Sequence, residues 1–300
     1  MNKGFQVGWW LITLTVFIIF GISAIGISWE GQYLPSVILE CTIIIPILIG
    51  IWYAKKYEKN TKEILGIKKF PIKLLVPALL LTAGAQYFIT YITLPIQSLL
   101  IIMFGAETAT SQMIAPQTVI EFIGAFITLC IVAPIVEEIL CRGILIKLFE
   151  RYGTFVALVS SSLAFAILHF EARSIIQLIF VGGLFGIFRL YTNSVLITII
   201  MHSFNNFLSL CQLMLLDGNS FSSLTIVLML LALLFPLVLF FTFKKWRMYF
   251  DYVRTRYEKT GFSVGALICV IVFFGYSMIL FLTRLINGDC LNDLYLLIGR

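Results

Sequence analysis

The chain has 300 residues, of which 60% are hydrophobic and only 12% charged, against about 45–50% and about 25% in a soluble domain. With a mean hydropathy of +1.03, a water-soluble fold has no surface for so much apolar material, and disordered chains, disulfide scaffolds and nucleic-acid binders are excluded with it. The net charge of +6 belongs to loops, where lysine and arginine orient membrane proteins. Composition therefore predicts an all-α polytopic transmembrane bundle, a single integral domain over residues 1–300.

Apolar runs of about 20 residues mark spans. Nine candidates follow one another at about 7–27, 34–54, 74–103, 119–140, 154–170, 174–190, 194–216, 222–243 and 262–286, giving eight or nine spans. The first is too long for a signal-peptide core and is expected to be a retained helix. Pro77 and Pro95 are expected to bend the third. The fifth and sixth are short, so one of them is expected to be broken or to sit inside the bundle. Segment 55–73 holds seven lysines and 244–259 six basic residues, whereas 28–33, 104–118 and 217–221 hold none. This bias places the N-terminus and both basic segments in the cytoplasm, with Arg151 and Arg189. Trp9, Trp10, Trp29, Trp52 and Trp246 fall near span ends, as interfacial anchors should. The segment Lys244–Lys259 reads equally as a surface amphipathic helix or as an ordinary loop. Five of the six cysteines fall in apolar stretches and no CxxC occurs, so neither a zinc ribbon nor a redox motif is indicated.

Ionisable residues inside spans are costly and mark candidate sites. The fourth span carries Glu137, Glu138 and Arg142. Glu138 and Arg142 are spaced i,i+4 with the acid first, the favourable order for an ion pair. Glu137 points about 100° away, leaving a free acid whose burial would suit it to general-base work. Pro134 is expected to open the helix one turn earlier. The two histidines of the chain, His169 and His202, both lie in apolar spans, and Asn206 follows His202 at i,i+4. Each histidine alone fits an interhelical hydrogen bond. Counting helical rise from the inferred cytoplasmic ends, Glu137, His169 and Asn206 lie roughly 18–22 Å deep and His202 roughly 12 Å. A carboxylate that deprotonates water, an imidazole that holds it, and a second imidazole and an amide that donate to an oxyanion suit hydrolysis of an amide bond. Cys141 shares the Glu137 face and offers a weaker thiol alternative.

The motifs Glu137-Glu138-x-x-x-Arg142, Phe165-x-x-x-His169 and His202-x-x-x-Asn206 resemble, in order, the three motifs of the CAAX protease and bacteriocin-processing (CPBP, or Abi) membrane proteins, which include the type II CAAX prenyl endopeptidases. The resemblance covers about residues 119–216. It implies a bundle of about eight helices around a conical cavity, and a glutamate-type intramembrane protease. On this sequence it assigns water activation to Glu137 aided by His169, an oxyanion hole to His202 and Asn206, and supporting roles to Glu138 and Arg142. No cofactor is expected: without HExxH, two histidines make a poor zinc set. The expected partners are the bilayer and a membrane-associated peptide or protein tail, with no nucleic acid. A composition rich in Ile, Lys and Phe points to a bacterial plasma membrane, where leader processing or bacteriocin self-immunity would be the setting. A non-catalytic immunity or partner protein of the same fold is the competing reading, and a proton-coupled transporter a weaker one, since no internal symmetry is present. The GxxxG spacing of Gly182 and Gly186, with Gly183 between them, reads as packing. Glu40 and Glu121 match no motif and are left outside the site.

Overall fold

The computed structural model describes residues 3–24, 41–56, 60–104, 116–169 and 174–215, with the single residues 230, 268 and 271. Apart from those three, the expected spans at 222–243 and 262–286 lie outside the described residues, as do segment 244–259, Glu40, Trp29, Trp246, Cys269 and Cys290. Every described element is helical. In hydrocarbon only a helix satisfies its backbone within one segment.

In chain order the helices are α1 (Lys3–Ala24), α2 (Ile44–Ala54), α3 (Thr61–Leu65), α4 (Leu75–Phe104), α5 (Val119–Tyr152), α6 (Thr154–Leu168), α7 (Ile175–Thr192) and α8 (Val195–Leu215). Among the described residues four segments are long and apolar enough to cross a membrane: Ile72–Thr90, Val119–Tyr152, Ile175–Thr192 and Val195–Met214. The protein is an integral membrane protein. Helix α4 runs on through Pro95, and Pro77 sits in its first turn, where a missing N–H breaks no helical bond.

The fourth span differs from its sequence boundaries. It does not stop near residue 140 but continues to Tyr152 as one 34-residue rod, because Glu138 and Arg142 neutralise each other inside it. Thr118 caps its start: the Glu121 N–H donates to Thr118 Oγ1 at 3.2 Å, and the Gln117 N–H donates to Glu121 Oε2 at 2.8 Å. Glu121 is thus a helix-capping carboxylate.

Two apolar clusters form the interior. One joins Ile12 and Val16 of α1, Ile47 of α2, Leu140, Ile144 and Phe149 of α5, and Phe165 of α6. The other joins Leu81 and Ala85 of α4, Phe185 and Phe188 of α7, and Met201 of α8. Between membrane helices the cohesion comes from packing, which small residues allow. A Cβ at Gly186 would stand 2.7 Å from Leu158, and one at Gly8 would stand 2.5 Å from the Phe149 ring. Trp9 corrects its expected place. It is 5% exposed and packs on Phe149 at 6.0 Å between ring centroids, rather than anchoring an interface. Trp10 and Trp52 are exposed.

The lysine-rich segment folds against the bundle. Asn60 caps α3, and Gly66 ends it in the left-handed conformation at φ 65°, with Ile67 N–H donating to the Lys62 carbonyl at 2.8 Å, the helix-terminating geometry glycine favours. The Val195 N–H then donates to the Gly66 carbonyl at 2.8 Å, and the Ser194 hydroxyl donates to the Lys68 carbonyl. The start of α8 is fixed to this segment.

Candidate active site

The acidic pair sits on a short α-helical stretch, Ala133–Glu138, between two π-helical turns, Phe126–Val132 and Ile139–Leu145. Wide turns of this kind recur at functional sites because each rotates the side chains that follow. Pro134 accounts for the first. In an α-helix its ring would strike the carbonyl four residues back; a wider turn clears it. The Ala133 N–H donates to the Thr128 carbonyl in the π pattern. The next bond in that series would run from residue 134 to the Leu129 carbonyl, and proline has no N–H to give. Asn206 of α8 supplies the donor instead, Nδ2 to Leu129 O at 2.9 Å. The expected opening at Pro134 is therefore a widened turn closed by a side chain.

In the second wide turn the carbonyls also find partners from neighbouring helices. The Ser161 hydroxyl donates to the Cys141 carbonyl at 3.0 Å, and Arg189 Nε donates to the Arg142 carbonyl at 2.9 Å. Arg189, at the end of the sixth expected span, is buried in the bundle. It is 2% exposed, donates through Nη1 to Asn193 Oδ1 at 2.8 Å and lies over Gly66.

Glu138 and Arg142 form the ion pair expected from their spacing, 2.6 Å apart and both fully buried. The same carboxylate oxygen, Oε1, receives Nδ1 of His202 at 3.0 Å. Arg142 also donates to the Gly182 carbonyl at 3.0 Å. Its guanidinium stands 4.3 Å from the centroid of Phe165 and 5.4 Å from that of Phe185. The His202 ring lies 5.5 Å from both aromatics. Arg142 thus lies over two aromatic rings, which favours its charge, and shares the Glu138 carboxylate with His202. Gly182 makes room: a Cβ there would meet Arg142 and Phe165 at 3.2 Å.

Glu137 is separate, as the 100° offset requires. Its Oε2 is sealed, lacks a hydrogen-bond partner and lies 3.8 Å from Nε2 of His169. His169 ends α6, with Nδ1 2.8 Å from the Phe165 carbonyl. A carbonyl only accepts, so Nδ1 carries a hydrogen, and Nε2 is the nitrogen turned toward Glu137. The gap is too long for a direct hydrogen bond. Cys141 is fully buried.

The structure brings five of the six candidate site residues into two groups. One is Glu137 with His169; the other is Glu138 with Arg142 and His202. Asn206, one turn beyond His202, is joined to α5 through Leu129. Sequence reasoning missed Phe185 and Arg189. Phe185 and Arg189 lie three and seven residues after Gly182, on one helical face. An arginine in an otherwise apolar span is the signal that could have found the second.

Residues 119–208 match the model of a family described as type II CAAX prenyl endopeptidase Rce1-like. Over this segment the chain is similar to the type II CAAX prenyl endopeptidases. No match was found among curated proteins or solved structures. The matched segment begins at the first residue of α5 and takes in α6, α7 and α8 as far as residue 208. It contains both groups just described. The likeness is to a family of membrane-embedded proteases, and the segment that carries it lies on apolar helices.

Proposed function

We propose that the chain is a CAAX-type protease, a glutamate-type intramembrane endopeptidase in which Glu137 activates the attacking water. The observation that carries the reading is the unpartnered Oε2 of Glu137 facing Nε2 of His169 at 3.8 Å. Both groups are acceptors toward a water between them. Such a water donates its two hydrogens to the carboxylate and the imidazole, and its oxygen lone pairs turn to the substrate carbonyl. As the oxygen bonds to the carbonyl carbon, Glu137 takes the proton. The carbonyl becomes a tetrahedral oxyanion. Glu137 then hands the proton to the peptide nitrogen as the C–N bond breaks, and the products are a carboxylate and an amine.

His202 and Asn206 stabilise the oxyanion. Nδ1 of His202 faces a carboxylate and so holds the hydrogen between them. This role requires a ring protonated on both nitrogens before the reaction begins, with Nδ1 on Glu138 and Nε2 donating to the oxyanion. Asn206 gives one Nδ2 hydrogen to Leu129 and has the second for the substrate. Preorganised donors of this kind are worth about 10²–10³-fold in rate. Arg142 holds Glu138, and Phe165 aims His169 through its carbonyl. The mechanism uses no metal. The free donors facing each other, Glu137 and His169 Nε2, fall two short of a tetrahedral protein set.

The substrates are membrane-associated peptides or protein tails, in a bacterial plasma membrane with the lysine-rich segment cytoplasmic. The test is comparative peptidomics on cells holding wild type or Glu137→Gln at matched membrane levels. Fragments found only with wild type support the reading and define the cleavage position. Identical peptide profiles would leave a non-catalytic immunity or partner role.

A further inference from the structure

Three spans have an end at the lysine-rich segment. Ile72–Thr90 and Val195–Met214 begin there, and Ile175–Thr192 finishes there. The segment is fixed to them by the Val195 N–H on the Gly66 carbonyl, the Ser194 hydroxyl on the Lys68 carbonyl and the Arg189 guanidinium against Gly66. A segment bonded to the ends of several spans lies at a membrane surface. Its lysines are therefore held in set places at headgroup depth rather than carried on a free loop.

Lys55, Lys56, Lys62, Lys69 and Lys73 are all exposed. Glu63 is the one acid among the described residues of the segment, and Lys68 engages it. Exposed apolar side chains are interleaved with these charges. Trp52 is 66% exposed, Ile72 75% and Val76 64%. The Lys56 ammonium stands 4.9 Å from the ring centroids of both Trp52 and Tyr53. A surface that meets only water or an acidic protein gains nothing from Ile72 and Val76. At a bilayer the indole and the aliphatic groups enter the acyl boundary, and the lysine stems carry their ammonium groups up to the headgroups.

The chemistry of the ligand follows from the cations. Segment 55–73 holds lysine and no arginine. Lysine is a compact point charge with no planar fork, so it meets a phosphate without selecting one headgroup shape. Near an anionic bilayer each such lysine strengthens association about fivefold, provided it lies within a Debye length of the surface. We propose that Lys55, Lys56, Lys62, Lys69 and Lys73 form a docking surface for the headgroups of anionic phospholipids, with Trp52, Ile72 and Val76 set in the acyl boundary beside them. The proposal is independent of the role given to Glu137.

The test uses the full-length protein in phosphatidylcholine vesicles with a trace of spin-labelled phosphatidylglycerol or spin-labelled phosphatidylcholine. Electron spin resonance reads the fraction of each probe immobilised on the protein. The wild type is expected to prefer phosphatidylglycerol about fivefold, the equivalent of one lysine contact per headgroup. Changing the five lysines together (Lys55→Gln, Lys56→Gln, Lys62→Gln, Lys69→Gln and Lys73→Gln) is expected to remove at least half of that preference. A smaller loss would overturn the proposal and move the lipid contact elsewhere, to segment 244–259 for instance. A wild type without preference would overturn it too, and leave the surface to an acidic peptide. Should the variant fail to insert, amine acetylation of the unsubstituted protein replaces it. Lys62 and Lys69 are then expected to react about threefold more slowly in phosphatidylglycerol than in phosphatidylcholine vesicles, relative to Lys147, whose ammonium is held by Glu150 at 2.9 Å. Equal slowing at all three would overturn the proposal.

Discussion

Pro134 and Asn206 are coupled through a single backbone carbonyl. Proline removes the donor that a π turn would offer to Leu129, and the Asn206 amide, from another helix, replaces it at 2.9 Å. The residue assigned to the oxyanion hole is thereby held by the residue that distorts the helix bearing Glu137.

This coupling is measurable in a double-mutant cycle. Asn206→Leu leaves the Leu129 carbonyl unsatisfied in wild type and is expected to cost about 1–3 kcal/mol in stability. In a Pro134→Ala background, which regains a backbone N–H, the cost falls toward zero. Proteolysis drops by about 10²–10³-fold in both backgrounds, because the oxyanion donor is lost in each. Thermal unfolding in detergent reads the first effect, and cleavage rate the second.

The buried Glu138–Arg142–His202 group makes an asymmetric prediction. Arg142→Met strips a fully buried carboxylate of its nearest cation and is expected to destabilise by about 3–5 kcal/mol. Arg142→Lys restores the charge without the planar fork that reaches both Glu138 and the Gly182 carbonyl, so it rescues only in part. The double change Glu138→Gln with Arg142→Met recovers most of the stability yet leaves His202 without its carboxylate, and activity stays low. Unfolding midpoints and cleavage rates on the same samples separate the two effects.

Gly66 offers a prediction away from the reacting groups. Its φ of 65° and the Arg189 guanidinium above it both oppose a side chain. Gly66→Ala is expected to lose about 1–2 kcal/mol from backbone conformation alone, and more from displacing Arg189. Gly183→Ala, where a Cβ would meet only the Ser162 hydroxyl at 3.8 Å, should be near neutral. Unfolding midpoints of the two variants check the contrast.

A metal-free mechanism predicts that zinc and magnesium chelators leave the cleavage rate unchanged at concentrations that strip a thermolysin-like enzyme. A chelator-sensitive rate restored by added zinc would contradict that part of the account.

Much of the site could be read from the sequence because charge is expensive in an apolar span. Glu137, Glu138 and Arg142, the two histidines and Asn206 stand out for that reason, and i,i+4 geometry alone gives the Glu138–Arg142 pair. Other features depend on contacts between distant residues. Nothing local indicates that His202 would share the Oε1 of Glu138, 64 positions away, or that Asn206 would serve the Leu129 carbonyl. The π turns show no periodicity of their own; Pro134 announces only a fault. Arg189 reads as a charge at the cytoplasmic end of its span, but the chain folds the Gly66 turn over it. Trp9 misleads in the same way, since proximity to a span end does not say whether an indole faces lipid or Phe149.

The central claim is that Glu137 supplies the base and Glu138 does not. With a substrate defined by its fragments, the decisive measurement is kcat and KM for purified Glu137→Gln beside wild type. The account predicts a fall in kcat of about 10²–10⁴-fold, the range for a lost general base, with KM and unfolding midpoint little changed. A kcat within a few fold of wild type would contradict it.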